Sequence, residues 1–284
     1  MQAVTGCDKV HAVGHCLGGT LMTIAAAAMA REGDDLLASM TLLAAQADFT
    51  EPGELALFIS EGEIAFLEDL MWEHGFLDSH QMAGAFQLLR SDDLIWSRML
   101  QEYLMGDRAP MFDMMAWNAD ATRMPYRMHS EYLRRLFLNN ELATSKYEVE
   151  GRPVAISDIR VPIFAVGTET DHVAPWRSAY KTHLLSDTQV TFALTTGGHN
   201  TGIVSEPGHK NRSYRIHHSG PGDPDRDPDR WLAAAERQER LWWQAWTDWL
   251  ADRSGKPVAP PPMGGEGADP ETLPAAPGRY VRMR

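Results

Sequence analysis

Apolar positions along this chain follow two rhythms, and the fold changes character where one gives way to the other. The short apolar run at 10–13 leads into a turn of small residues, Gly14-His15-Cys16-Leu17-Gly18. An Ala-rich segment at 21–31 follows and reads as a helix stopped at Gly33. The continuous apolar run 40–45 then has the character of a parallel strand buried on both faces. Strand, helix and strand over 1–47 predict a βαβ unit.

Between 48 and 158 the apolar spacing becomes helical. Ile64, Leu67 and Met71 share one face, as do Met82, Phe86 and Leu89 after Ser79, and Leu133, Leu136 and Phe137 after Ser130. Seven of the fifteen methionines (Met99, Met105, Met111, Met114, Met115, Met124 and Met128) fall between 99 and 128. They read either as core filling or as a pliable apolar surface, because unbranched thioether side chains repack easily. A long helical insertion between strands predicts a cap over an active site.

Strand rhythm returns at 161–166 and ends in the polar loop Gly167-Thr168-Glu169-Thr170-Asp171-His172. A helical stretch at 178–185 precedes a strand at 189–194, which ends in Gly197-Gly198-His199. One helix is predicted over 231–251, with Trp242, Trp246 and Trp249 on one face as core or interface anchors. The segment 257–277 is rich in Pro and Gly and predicts an extended tail. The chain thus divides into 1–47, 48–158, 159–256 and a tail, 257–284.

Composition narrows the functional classes. At 284 residues, 44% hydrophobic and 23% charged, the chain can bury a sizeable core. A net charge of −13 argues against a nucleic-acid binder or an anionic-membrane binder. With Cys7 and Cys16 alone there is no disulfide framework, so a reducing compartment is expected. No run approaches a membrane span and no signal-peptide pattern opens the chain, which predicts a cytoplasmic protein.

The chemistry is concentrated at the predicted strand ends. Strand, Gly-x-Cys-x-Gly and helix together have the form of a nucleophile elbow, with sulfur in place of oxygen. Close approach of strand and helix asks for small residues at both ends of the turn, and the Leu17 amide at the helix start is a candidate oxyanion donor. Cys16, Asp171 and His199 occur in the order nucleophile, acid, histidine, each after a predicted strand. That order is the one found in α/β hydrolases. In these roles His199 takes the Cys16 proton and Asp171 fixes the imidazole tautomer. His11, His15 and His172 are all read as structural, with His172 the best placed of the three to touch substrate. Lys210-Asn211-Arg212 is a small basic cluster, a solvated loop or a phosphate contact. No metal is expected.

HAVGHCLGGT, LLRSDDLIW, FDMMAWNADATRMP, ETDHVAPW, TTGGHNTGIV and PGRYV, with the Trp-rich helix, carry a wider likeness. By these segments the chain resembles the polyhydroxyalkanoate synthases of the single-subunit, short-chain-monomer type. The resemblance implies an α/β-hydrolase fold, present from the elbow onward, with a helical cap. It implies Cys16 as nucleophile with Asp171 and His199, and an acyltransferase that polymerises (R)-3-hydroxyacyl-coenzyme A, most simply 3-hydroxybutyryl-coenzyme A. Coenzyme A thioester is then substrate, coenzyme A is product, and no cofactor is needed. Also implied are a growing polyester chain as partner, a homodimer through the cap, polymer granules in the cytoplasm, and Trp117 lining the site. Such synthases are about twice as long, so this chain is expected to be a carboxyl-terminal portion. The strands before the elbow and the second oxyanion donor are expected to be missing, with low activity alone. An esterase or thioesterase on the same fold and a non-catalytic granule-associated fragment are the alternatives.

Overall fold

The computed structural model describes residues 2–78, 81, 84, 95–97, 99–108, 110–111, 113–120, 123–224, 227–261 and 274–279. Val10–His15 extends as β1, Leu17–Glu32 coils as helix α1, and Leu37–Leu43 returns as β2, parallel to β1 and registered from His11 on Ser39 to His15 on Leu43. Gly33 ends α1 in the left-handed conformation at φ 74°, and its N–H closes onto the Ala30 and Met29 carbonyls. The predicted βαβ unit is therefore present.

Beyond it, Ile163–Thr168 forms β3, the short helices Trp176–Tyr180 (α2) and Thr182–Leu185 (α3) follow, and Val190–Thr195 forms β4. Every residue of β3 and β4 is buried, as expected for parallel strands covered on both faces. Tyr214–Ser219 (β5) adds antiparallel to β4. After helix Pro228–Ala234 (α4), Glu236–Gln238 (β6) pairs antiparallel with β5, and helix Trp243–Ala251 (α5) closes the region. The result is a six-stranded sheet in simple chain order, β1 to β6.

In register, Phe164 opposes Thr191 and Phe192 opposes Ala165, so the two phenylalanines face opposite sides of the sheet. On one side Phe164 packs with Trp242 and Trp249 (ring centroids 6.4 and 5.5 Å), and Trp246 Nε1 donates to Thr41 Oγ1 at 2.9 Å. On the other, Trp231 meets the Phe192 ring edge-on at 5.0 Å and lies against Tyr180 and Trp176. The tryptophans are core anchors, as their spacing predicted. The single helix predicted over 231–251 is corrected, however. It is interrupted where Glu236–Gln238 pairs with β5, because ladder hydrogen bonds to that strand outweigh the helical preference of Ala, Glu and Gln.

Leu55–Arg134 forms a second compact unit, within the span predicted as helical. Ser60 caps its helix Glu61–Trp72 by accepting from the Glu63 amide, and Ile64 and Met71 are buried on the predicted face. Phe76–Leu77 pairs with Met124–Pro125. Arg134 holds both carboxylate oxygens of Glu68 and reaches Glu61 at 3.2 Å. The face predicted for Met82, Phe86 and Leu89 lies outside the described residues. No helix among the described residues is long and apolar enough to cross a membrane.

Candidate active site

The turn after β1 is forced into an unusual backbone. Cys16 has φ 52° and ψ −125°, a conformation that β-carbon sterics disfavour. Its neighbours hold it there: the Cys16 amide donates to the Leu43 carbonyl at 2.9 Å, and its carbonyl accepts from Gly19 and Thr20 at 2.9 and 3.3 Å. A β-carbon on Gly14 would lie 2.6 Å from Gly19 Cα, and one on Gly19 would lie 2.4 Å from Ala45 Cβ. Strand, helix and the chain after β2 meet at this point. The sequence placed the need for small residues at the two motif glycines; the structure places it on Gly14 and Gly19, while Gly18 faces open space. Cys16 is half-buried, and Leu17 opens α1, whose leading amides have no acceptor within the helix.

Asp171 lies beyond β3 with its carboxylate fully enclosed. Oδ1 accepts from the Val173 and Ala174 amides at 2.9 and 2.8 Å, and Oδ2 accepts from Thr168 Oγ1 at 3.1 Å. The remaining capacity of Oδ2 meets His199 Nδ1 at 2.8 Å. His199, in the loop after β4, faces the Cys16 sulfur on its other side. Burial disfavours the charged imidazole, but the Asp171 and Cys16 hydrogen bonds and charges outweigh it and push His199 up to about 10. Carboxylate, imidazole and sulfur therefore form one continuous relay across the ends of β1, β3 and β4. Such a relay can move a proton off sulfur and stabilise the cation that results.

The other sequence-picked residues fall in different places. The His172 carbonyl accepts from the Glu54 amide at 3.2 Å, which ties the Asp171 loop to the chain beyond β2. Arg212 Nη1 donates to the Thr196 carbonyl at 3.2 Å, so its guanidinium props the strand end that carries His199; Lys210 is exposed nearby in sequence. Trp117 belongs to the second unit and is 56% exposed. His11, read as structural, links β1 to Ser39 at 2.7 Å and to Ser254 at 3.2 Å. Two residues of the site escaped the sequence reading. Thr168 orients Asp171, and its signal was its position at the end of a buried strand. His15 lies with its ring centroid 5.2 Å from that of His199, and its signal was adjacency to the nucleophile.

A six-stranded α/β sheet with this relay at its strand ends has the layout of an α/β hydrolase. Residues 2–205 match the α/β-hydrolase fold family, and the chain belongs to it. Within that family it is homologous to poly(3-hydroxyalkanoate) polymerases. It is 40% identical over 280 residues to the poly(3-hydroxyalkanoate) polymerase of Methylorubrum extorquens, covering 99% of this chain and 46% of that one. Identity to the polymerase subunit of Rhizobium meliloti is 36% (100% of this chain, 45% of the relative). To that of Cupriavidus necator it is 34% (99% and 48%). The chain spans about half the length of the curated relatives it matches.

Proposed function

We propose that this chain carries the acyl-transfer site of a polyester synthase, which polymerises (R)-3-hydroxyacyl-coenzyme A, with 3-hydroxybutyryl-coenzyme A as monomer, through a covalent thioester on Cys16. The observation that carries the reading is the Asp171–His199–Cys16 relay with sulfur as the terminal atom. The Cys16 sulfur, its proton already transferred to His199, attacks the thioester carbonyl as a thiolate. The oxyanion so formed is within the field of the Leu17 amide and the α1 N-terminus. Collapse breaks the carbon–sulfur bond to coenzyme A, which leaves as a thiol with the His199 proton. The hydroxyl of the next monomer or of the growing chain then attacks the Cys16 thioester, giving its proton to His199, and as the ester bond forms the Cys16–acyl bond breaks and restores the Cys16 thiolate beside protonated His199. A thiol nucleophile suits this sequence because one thioester replaces another at nearly equal energy, leaving the acyl group activated for the next transfer.

The kinship with poly(3-hydroxyalkanoate) polymerases supports the choice of substrate and product. Exposed apolar side chains of the second unit, among them Phe66, Trp72, Tyr103 and Met105, support a homodimer through this region and contact with a cytoplasmic polymer granule. His172, Trp117, Lys210 and Arg212 are the candidate substrate contacts, and no cofactor or metal enters the scheme. The exposed edge of β1, where Val13 is half-exposed, is the place at which a further strand would pair.

The test is coenzyme A release from 3-hydroxybutyryl-coenzyme A. It is run with the purified chain alone, with an added amino-terminal half of a related synthase, and with Cys16→Ala as control. Release that depends on Cys16, with polymer as product, supports the reading, and release that also needs the added half shows that this half contributes to the site. Free hydroxy acid as the sole product would mean a hydrolase. Silence from a folded chain in every mixture would mean a non-catalytic granule-associated segment.

A further inference from the structure

His15 is the last residue of β1 and sits directly before the strained Cys16. Its ring lies 5.2 Å from the His199 ring at a tilt of 34°, beside the His199 backbone. Among the described residues its Nε2 is buried without a hydrogen-bond partner, a cost in free energy that calls for an explanation. The charged groups facing it are the imidazole of His199 and, beyond that, the carboxylate of Asp171. Burial, then the neighbouring His199 charge, lowers His15 below the ordinary imidazole range, against the smaller contributions of the His199 backbone and of Asp171. A neutral ring can sit against a cationic one where a second cation could not.

We propose that His15 is a positioning residue for His199: wedged between the elbow strand and the His199 loop, it holds the second imidazole where one nitrogen meets Asp171 and the other meets Cys16. This rests on reading Cys16, Asp171 and His199 as the reacting set. The His199 backbone follows Gly197, at φ 111°, and Gly198, whose carbonyls accept from the Thr170 and Gly202 amides at 3.1 and 2.8 Å; these bonds place the loop but leave the ring's own torsions open. The contact from β1 supplies a second support from the same residue pair that presents the sulfur. Motion of the elbow and of the imidazole is thereby coupled.

The test uses the full chain in a Cys7→Ser background, so that alkylation by iodoacetamide reports Cys16. Variants are His15→Phe, which keeps a ring without its nitrogens, and His15→Gln, which keeps a polar group able to bond the His199 backbone. Histidine nitrogen NMR follows His199, identified as the signal that His199→Gln removes. In the native chain His199 stays doubly protonated until about pH 10. In His15→Phe its titration falls back toward about 6.5, and Cys16 alkylation at pH 7 slows roughly tenfold as the ring leaves its place. His15→Gln retains most of both. Native behaviour in His15→Phe, or equal loss in both variants, would overturn the proposal and leave His15 as packing. Should His15→Phe fail to fold, the native chain decides. His15 must titrate below the ordinary imidazole range and hold one tautomer while neutral, and a His15 signal that titrates at or above that range overturns the proposal. None of these readouts requires turnover, so a chain that releases no coenzyme A would sink the polymerase reading while leaving this one standing.

Discussion

The sheet region and the Leu55–Arg134 unit draw on similar side chains and treat them in opposite ways. Around the sheet, Trp231, Trp242, Tyr180, Phe164 and Phe192 are almost wholly buried. In Leu55–Arg134, Trp72 is 79% and Tyr103 83% exposed, with Phe66, Leu104 and Met105 also largely in solvent. Large apolar groups left in solvent at several positions of one unit are the kind of side chain an interaction surface uses. The sheet region behaves as a rigid frame that holds three strand ends in register, and the helical unit offers apolar surface. Rigidity is needed where a proton relay must stay within hydrogen-bond reach, and adaptable surface suits a ligand that changes as it grows.

The sharpest way to break this comparison is at the relay. Asp171→Asn should lower coenzyme A release by roughly 10⁴-fold, because the imidazole loses its fixed tautomer, whereas its folding should be retained. His199→Gln at the same site should show in stability. A folded-state pKa raised to about 10 contributes stability that is complete below the unfolded value near 6.5 and is lost as pH rises toward 10. The melting difference between native and His199→Gln should therefore be greatest at pH 6 and vanish above about pH 10. A difference that grows with pH would mean His199 is not held as a cation.

Next in size is the contrast between tryptophans. Trp231→Ala should cost about 3–5 kcal/mol in denaturant unfolding, since it empties space against Phe192 and Tyr180. Trp72→Ala should change stability by less than about 0.5 kcal/mol while weakening adsorption to polymer particles. Equal destabilisation by both would erase the distinction between frame and surface. Smaller effects sharpen the elbow itself. Gly19→Ala should cost about 1–3 kcal/mol through its clash with Ala45, and Gly18→Ala, facing open space, about 0.5 kcal/mol or less. Thermal melts of the two variants side by side decide whether helix and strand meet where the structure puts them.

Much of this was legible in the sequence, for local reasons. Continuous apolar runs announced β2, β3 and β4; Gly33 announced the end of α1; and the elbow was visible because a nucleophile between a strand and a helix demands small residues. Tyr214–Ser219 was not read as a strand: the alternation of Tyr214 and Ile216 with Arg215 and His217 lasts only four residues before His218 and Ser219 end it, and the segment extends because the β4 edge offers it a ladder. The break in the Trp-rich helix has the same origin, since Glu236–Gln238 are helix formers that the β5 edge claims.

The sequence by itself therefore determined which residue types stand at which strand ends: sulfur after the first, carboxylate after the third, imidazole after the fourth. Chain order and flanking pattern are local properties, and they survive without any knowledge of packing. Only the tertiary structure decided that Gly19 rather than Gly18 bears the close contact, that Thr168 orients Asp171, and that His15 lies against His199. Those facts depend on residues distant in the chain being brought within a few ångströms, and no local pattern encodes the register that brings them there.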